Sequence, residues 1–403
     1  MRATVPQSRR AVLLYLAAGA SFAALSARGL TVPLYAHGLG ASRFEVGALF
    51  SVSTLAAAAL SLPSGMLVDK FGTRSLLAAS FAVAAIAQLA TAATPSVAPL
   101  FLWQVVGGLA GGAQQAALFA AVTESAPGTK LGRAMGWLTF SMQAGFFLGP
   151  SVAGIALRWI DVRTDIAVTT AMILFAIPGV IVASGTRQHA GGGFSLMAPL
   201  RALLGQRAFL PVTIGLIAAS LSWGTIGAFL PVFGKEALGL QSAQVGYLLA
   251  LQAVVNGLSR IPGGRLVDRA RHRWPIVFTG VLAWSAVGVV LGHLTGFTGP
   301  AIALAVGTPF MATAFVAIGV VFADLSATST RGVTMGTYGT ILFVGLSIGP
   351  LAFGPLVQSA GYAAGFTACA IASSLLAVLM AAVHFEPLRR RTEAPLPPPA
   401  PGT

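Results

Sequence analysis

Apolar residues in this chain run in long unbroken stretches, each long enough to cross a hydrocarbon core of ~30 Å at ~1.5 Å per helical residue. Six windows fall near residues 11–36, 44–67, 75–94, 98–122, 133–157 and 166–186, and six more near 209–233, 243–267, 275–296, 299–323, 333–358 and 363–385. Short alternating segments of the membrane-barrel kind are missing, so the pattern predicts a bundle of membrane helices. Most gaps are short, which makes sequential helices antiparallel hairpins. The longest gap carries Arg187, a triple glycine at 191–193, Arg201 and Arg207, and reads as a polar linker. It divides the chain into an N-terminal six-helix half (1–187), a linker (188–207), a C-terminal six-helix half (208–386) and a Pro-rich cytoplasmic tail (387–403).

The halves repeat each other at an offset of 198 to 200 residues. Pro33 matches Pro231, Val46-Gly47 matches Val245-Gly246, and Gly65-x-Leu67-Val68-Asp69 matches Gly264-x-Leu266-Val267-Asp268. Glu124 then matches Asp324, Met135-Gly136 matches Met335-Gly336, and Gly145, Gly149, Pro150 and Gly154 match Gly345, Gly349, Pro350 and Gly354. Shared composition would not keep such unlike residues in register. The expected fold is therefore an all-α membrane protein of twelve transmembrane helices in two pseudo-symmetric halves, a plan found in secondary transporters.

Composition agrees and adds direction. Hydrophobic residues make up 56% of the 403 residues and charged ones 8%, where a soluble chain carries about a quarter charged. The net charge of +14 would point to nucleic acid in a soluble protein. Assigned to alternate connections, eighteen Lys and Arg residues fall on one side of the bilayer, with only Arg43, Arg158, Arg163 and Lys235 on the other. This positive-inside bias puts both termini and the linker in the cytoplasm of a multi-pass plasma (inner) membrane protein, and removes nucleic acid as a partner. Arg9-Arg10 and the apolar run behind them resemble a signal peptide, but the run is too long and lacks an Ala-x-Ala site, so an uncleaved first helix is expected. A lone Cys369 and five scattered histidines offer no disulfide framework, metal site or cofactor site. Gly345-Leu346-Ser347-Ile348-Gly349 matches the hydrolase nucleophile elbow, but it sits within a helical stretch instead of the strand–turn–helix that exposes such a serine. No enzyme activity is expected.

After span two the chain reads Gly65-Met66-Leu67-Val68-Asp69-Lys70-Phe71-Gly72-Thr73-Arg74, and after span eight Gly264-Arg265-Leu266-Val267-Asp268-Arg269-Ala270-Arg271-His272-Arg273. These stretches resemble the signature of the major facilitator superfamily, G-x-L-x-D-R/K-x-G-R-R/K, departing from it at Thr73 and Arg271. The resemblance implies that Asp69 and Asp268 help hold the halves together on the cytoplasmic side, with Glu124 and Asp324 joining a network with Arg74, Arg133, Arg273 or Arg331. Gly65, Lys70, Gly72, Gly264 and Arg269 complete this gating motif. Small residues there are expected to let helices approach.

Span five, through Gly136, Gly145, Gly149, Pro150, Ala153 and Gly154, resembles the motif G-x8-G-x3-G-P-x2-G-G of the superfamily's drug/proton antiporters; span eleven repeats it through Gly336, Gly345, Gly349, Pro350 and Gly354. Glycines four apart permit close packing and the proline can bend the helix, so each of these helices is expected to form a seam between the halves. Two departures bear on proton exchange. Gln104 stands where the family's fourth helix has an arginine, and no acid lies near the middle of a span; Glu45, His37 or a cytoplasmic carboxylate are the candidates left for a titrating group.

Polar residues inside the spans mark the expected cavity. An intramembrane arginine costs on the order of 2.5–3.5 kcal/mol on insertion scales and so faces a partner or a cavity. Arg28 lies with Thr31 and Tyr35 in span one, Gln252, Asn256 and Arg260 form a stripe in span eight, and Gln104, Gln115 and Gln143 add amides from spans four and five. Trp103, Trp137 and Trp223 are available to stack on an aromatic solute or to pack. The leading expectation is a monomeric alternating-access transporter exporting small organic molecules, with the proton as a candidate coupling ion. A transporter of small organic anions centred on Arg28 and Arg260 is the second reading, and a non-transporting membrane sensor the third.

Overall fold

A computed structural model describes residues 7–125, 131–183, 197–325 and 331–392, and among them the chain is helical without strands. The N-terminal half comprises α1 (Gln7–Gly38), α2 (Arg43–Ser61), α3 (Ser64–Phe71), α4 (Thr73–Ala93), α5 (Val97–Ser125), α6 (Leu131–Ala156) and α7 (Val162–Ala183). After a short α8 (Met197–Leu204) in the linker come α9 (Phe209–Glu236), α10 (Ser242–Arg269), α11 (Trp274–Leu291), α12 (Thr298–Asp324) and α13 (Arg331–Thr392). Twelve crossings follow because α3 continues α2 and α13 supplies two. The 62 residues of α13 break at Gly361, whose φ of 88° lies in the left-handed region that glycine alone enters without cost. Span two differs from the single helix expected: Leu62-Pro63 interrupts it, and Gly72 (φ 78°) both ends α3, donating its N–H to Val68 O, and starts α4.

Ten stretches, counting the whole of Val333–His384 as one, are long and apolar enough to cross a membrane. The helix missing from that set is α10, which holds the Gln252, Asn256 and Arg260 stripe.

Packing follows the repeat. In the N-terminal half α1 packs on α6 and α7, and α5 on α2 and α4; in the C-terminal half α9 packs on α13, and α12 on α10 and α11. The halves meet chiefly where α2 lies along α13 and α6 along α10, with α1 touching α9. The start of α1, the end of α13 and α8 mark one end of the bundle, here the linker end; the α1–α2 turn and the ends of α9 and α6 lie at the other, the distal end. Local chemistry finishes the distal helices. Ser42 and Glu45 form a reciprocal capping box at the start of α2. Before α7, Asp161 accepts from the Thr164 hydroxyl (2.5 Å) and from the N–H groups of Thr164 and Arg163, which together hold its carboxyl below the usual range.

Candidate functional site: the interface between the halves

The glycines of the repeated motif divide into two sets. A Cβ on Gly145 would stand 2.4 Å from Gly19 O, and one on Gly149 2.2 Å from Ala23 O, so both press α6 against α1 within their own half. Gly345 and Gly349 do the same for α13 against α9, where a Cβ would meet Ser220 Oγ at 1.9 Å and Thr225 Oγ1 at 2.1 Å. Gly154 and Gly354 instead face the opposite half, beside Gly246 of α10 and Phe44 of α2. Each motif helix thus turns one face to its own half and another to the opposite half, α6 along α10 and α13 along α2. Gly136 has open space around a Cβ among the described residues, while Gly336 approaches Leu62 at 3.1 Å.

The copied pairs meet across the pseudo-symmetry. Gly47 sits against the carbonyl of Pro350 (3.1 Å to a built Cβ) and Gly246 against that of Pro150 (2.5 Å). Each half offers a glycine to a proline carbonyl of the other: at Gly246 a Cβ would meet that carbonyl first, and at Gly47 it would first meet the Phe229 ring, at 2.6 Å. Ser51 donates to Ser347 O (2.8 Å) in the same α2–α13 contact. Ser347 itself is buried inside α13 with its hydroxyl on Val344 O, so the nucleophile-elbow geometry is not formed.

At the distal end four helices converge on one carboxylate. Glu236, at the end of α9, accepts from Arg43 Nε (2.7 Å) and the Tyr362 hydroxyl (2.9 Å) and lies 3.4 Å from His37 Nδ1. The Arg43 guanidinium covers the Tyr362 ring at 4.9 Å, and its backbone N–H donates to Gln358 Oε1 at 2.8 Å. His37 and Arg43 belong to one half, Glu236, Tyr362 and Gln358 to the other. This latch was not foreseen; the sole sequence signal is an acid in a connection that is otherwise sparsely charged.

The described contacts of the gating residues at the linker end stay within their halves. Thr73 donates to Glu124 Oε1 (2.5 Å), and Arg273 pairs with Asp324. Lys70 lies over the Phe71 ring and Asp268 and Arg269 are exposed. The side chains of Gly65, Asp69, Arg133 and Arg331 lie outside the described residues. Gly264 has open space around it; the close approach in α10 is made by its neighbour Gly263, where a Cβ would stand 2.6 Å from Thr313 Oγ1 of α12.

Inside the bundle the expected cavity residues separate into two stations. Arg28 is 9% exposed, donates from Nη2 to Gln104 Oε1 (2.5 Å), and lies over Gly107, where a Cβ would collide with Nη1 at 2.4 Å. Gln104 Nε2 is buried with no hydrogen-bond partner among the described residues. In the second station Asn256 Oδ1 accepts from Arg260 Nε (3.1 Å) and from Gln143 Nε2 (3.4 Å), which joins α10 to α6 of the other half. Arg260 is exposed and within electrostatic range of Tyr338 on α13. Gln252 is buried one turn before Asn256, and Gln115 is partly exposed on α5. Three of the expected residues make contacts within the bundle. Tyr35 fastens α1 to the end of α4, donating to Thr94 O (2.6 Å) and Ala92 O (3.4 Å); Thr31 is fully buried and donates to Ala27 O; Trp223 stacks on Trp284 at 4.8 Å. Tyr35→Phe is accordingly expected to cost about 0.5–1.5 kcal/mol of stability, seen as a lower Tm, with solute affinity unchanged.

Comparison with known proteins fits this geometry. The Major Facilitator Superfamily model matches residues 14–241 and 212–402. An uncharacterised MFS-type transporter of Methanocaldococcus jannaschii, MJ1560, is 23% identical over 356 residues, 86% of this chain and 90% of that protein. The quinolone resistance protein NorA of Staphylococcus aureus (strain MRSA252) is 22% identical over 169 residues, which span 42% of this chain and 43% of NorA. Among solved structures, a point mutant of the nucleoside transporter NupG superposes with a TM-score of 0.80 at 13% identity, covering 93% of this chain and 99% of that one. A bacterial homolog to the human lysosomal transporter Spinster, in an inward-facing and unoccupied conformation, gives 0.76 at 14% identity, covering 98% and 99%. At such identities the structures share the fold alone. With two six-helix repeats, crossed glycine–proline contacts and a family model spanning nearly all of its length, this chain belongs to the major facilitator superfamily of membrane transporters.

Proposed function

We propose that the protein is a secondary exporter of small organic molecules in the plasma (inner) membrane, with termini and linker cytoplasmic, working by rocking one half against the other. The observation that carries this reading is the division of labour among the motif glycines. Gly145 and Gly149 tie α6 to α1 and Gly345 and Gly349 tie α13 to α9, so each half can move as a rigid body. Gly154, Gly354, Gly47 and Gly246 keep the contacts between the halves close, beside Gly246, Phe44, Pro350 and Pro150, and on these the halves can pivot. The direction of transport is supported by the resemblance of spans five and eleven to the antiporter motif and by the partial likeness to NorA, whose name describes drug resistance.

The test is uptake into everted membrane vesicles. An exporter accumulates its solute there, and exchange with protons shows as collapse of a preset pH gradient when solute is added. A broad panel of compounds giving neither accumulation nor a pH response would refute export.

A further inference from the structure

The ion pairs among the described residues lie at helix ends: Arg43 with Glu236, where His37 Nδ1 sits beside the same carboxylate, and Arg273 with Asp324. By sequence, the acids of the chain fall in connections or toward the ends of the apolar spans. Among the described residues, the two arginines within the spans have only neutral partners: Gln104 for Arg28, and Asn256 for Arg260 with the Tyr338 phenol nearby. Amide oxygens satisfy single N–H groups without cancelling a charge, and a guanidinium without a counter-charge raises the local potential for any passing ion, most strongly at the buried Arg28.

Helix contacts place the two charges along the path. Gln143 of α6 lies level with Asn256, and Arg260 is one turn nearer the linker end. Six residues further along α6, Gly149 meets Ala23 and Ala27 of α1, beside Arg28. At ~1.5 Å per residue the two arginines stand roughly 15 Å apart along the bundle axis, too far for one small carboxylate to bridge. The expectation of one site centred on both arginines is thereby replaced by two steps. Each borders what moves: Arg260 sits on a helix that touches the other half, and Arg28 lies on α1, which touches α9.

We propose that the solute carries a negative charge, and that Arg260 receives it near the linker end before Arg28 and Gln104 hold it deeper in the bundle. The anion supplies the counter-charge that the chain lacks, and the unpaired Gln104 Nε2 adds a neutral donor beside Arg28. The same field excludes organic cations. This assignment rests on the transport reading but not on its direction.

Binding tests it separately from export. Purified full-length protein is titrated with fluorescein, an anionic dye, and with ethidium, a cationic one, by fluorescence polarisation. Fluorescein is expected to bind saturably and ethidium not. Arg28→Gln and Arg260→Gln are each expected to weaken fluorescein binding by about tenfold or more, as loss of a charge-assisted hydrogen bond implies; Arg28→Lys and Arg260→Lys are expected to retain part of it. Arg260 is exposed, so its variants keep the fold even where those of Arg28 do not. Absence of saturable fluorescein binding, ethidium binding as tight as fluorescein, or undiminished fluorescein affinity in folded Arg260→Gln would overturn the proposal. Anion binding without accumulation in everted vesicles would leave it standing and remove the export reading instead.

Discussion

Gly149→Val is expected to abolish transport and to lower the thermal stability of the purified protein sharply. A Cβ at this position would lie 2.2 Å from both Ala23 O and Ser26 Oγ and 2.8 Å from Ala27 N, and two of those three atoms are helical backbone. Backbone cannot rotate aside as a side chain can, so α6 must leave α1 by more than an ångström along their whole contact. Overpacking of this kind costs about 1–3 kcal/mol, and here it also loosens the joint that makes the N-terminal half rigid. Gly349→Val is expected to behave alike, since a Cβ there would meet Leu221 O at 2.4 Å. The control lies in the same motif: Gly136 has nothing within 4 Å, so Gly136→Ala should leave both Tm and transport rate unchanged. Wild-type Tm and rate in Gly149→Val, or equal damage in Gly136→Ala, would sink the account of the motif given above.

Those contrasts show where sequence reasoning reached its limit. The twelve crossings and the duplication were legible because apolar run length and register are properties of the chain itself. Which motif glycine meets which helix was not: Gly136 and Gly145 look equivalent in the sequence, yet one faces open space and the other a backbone carbonyl. Gly263 and Gly264 make the same point, since the second fits the family signature and the first makes the contact. Arg28 and Arg260 were found by the cost of intramembrane charge, but their separation along the axis needed the α1–α6 and α6–α10 contacts. Tyr35 shares a helical face with Arg28 and still spends its hydroxyl on the end of α4. The distal latch was hidden because its groups come from four helices far apart in sequence, and each taken alone reads as a helix end. Glu236 gains meaning only when α1, α2 and α13 arrive around it.

Glu236→Gln is expected to shift the protein toward a state open at the distal end. The carboxylate is the one acid that Arg43 and His37 share, and its side chain is 20% exposed, so the pairs are screened less than fully solvated ones. A glutamine can still accept from Tyr362, but it offers no charge to Arg43, and the latch loses its electrostatic part while keeping its shape. A partly exposed pair of this geometry contributes about 1 kcal/mol at most, so loss of the Arg43 pair should lower the ratio of distally closed to open molecules by roughly fivefold. Spin labels at Arg158→Cys and Ala237→Cys, exposed positions in opposite halves at the distal end, read this as a longer distance population in a Cys369→Ala background. Arg43→Gln should give a similar shift. Because the two side chains act through one contact, Arg43→Gln with Glu236→Gln should open the distal end little further than either alone. Transport should respond at a different step from the interior arginines: a weakened latch changes the rate of return to the distally closed state, while solute affinity stays near its original value. An unchanged distance distribution in Glu236→Gln, or fully additive shifts in the double variant, would mean that the closed distal end is held by the glycine–proline contacts of α2 with α13 and α6 with α10, and that Glu236 only decorates it.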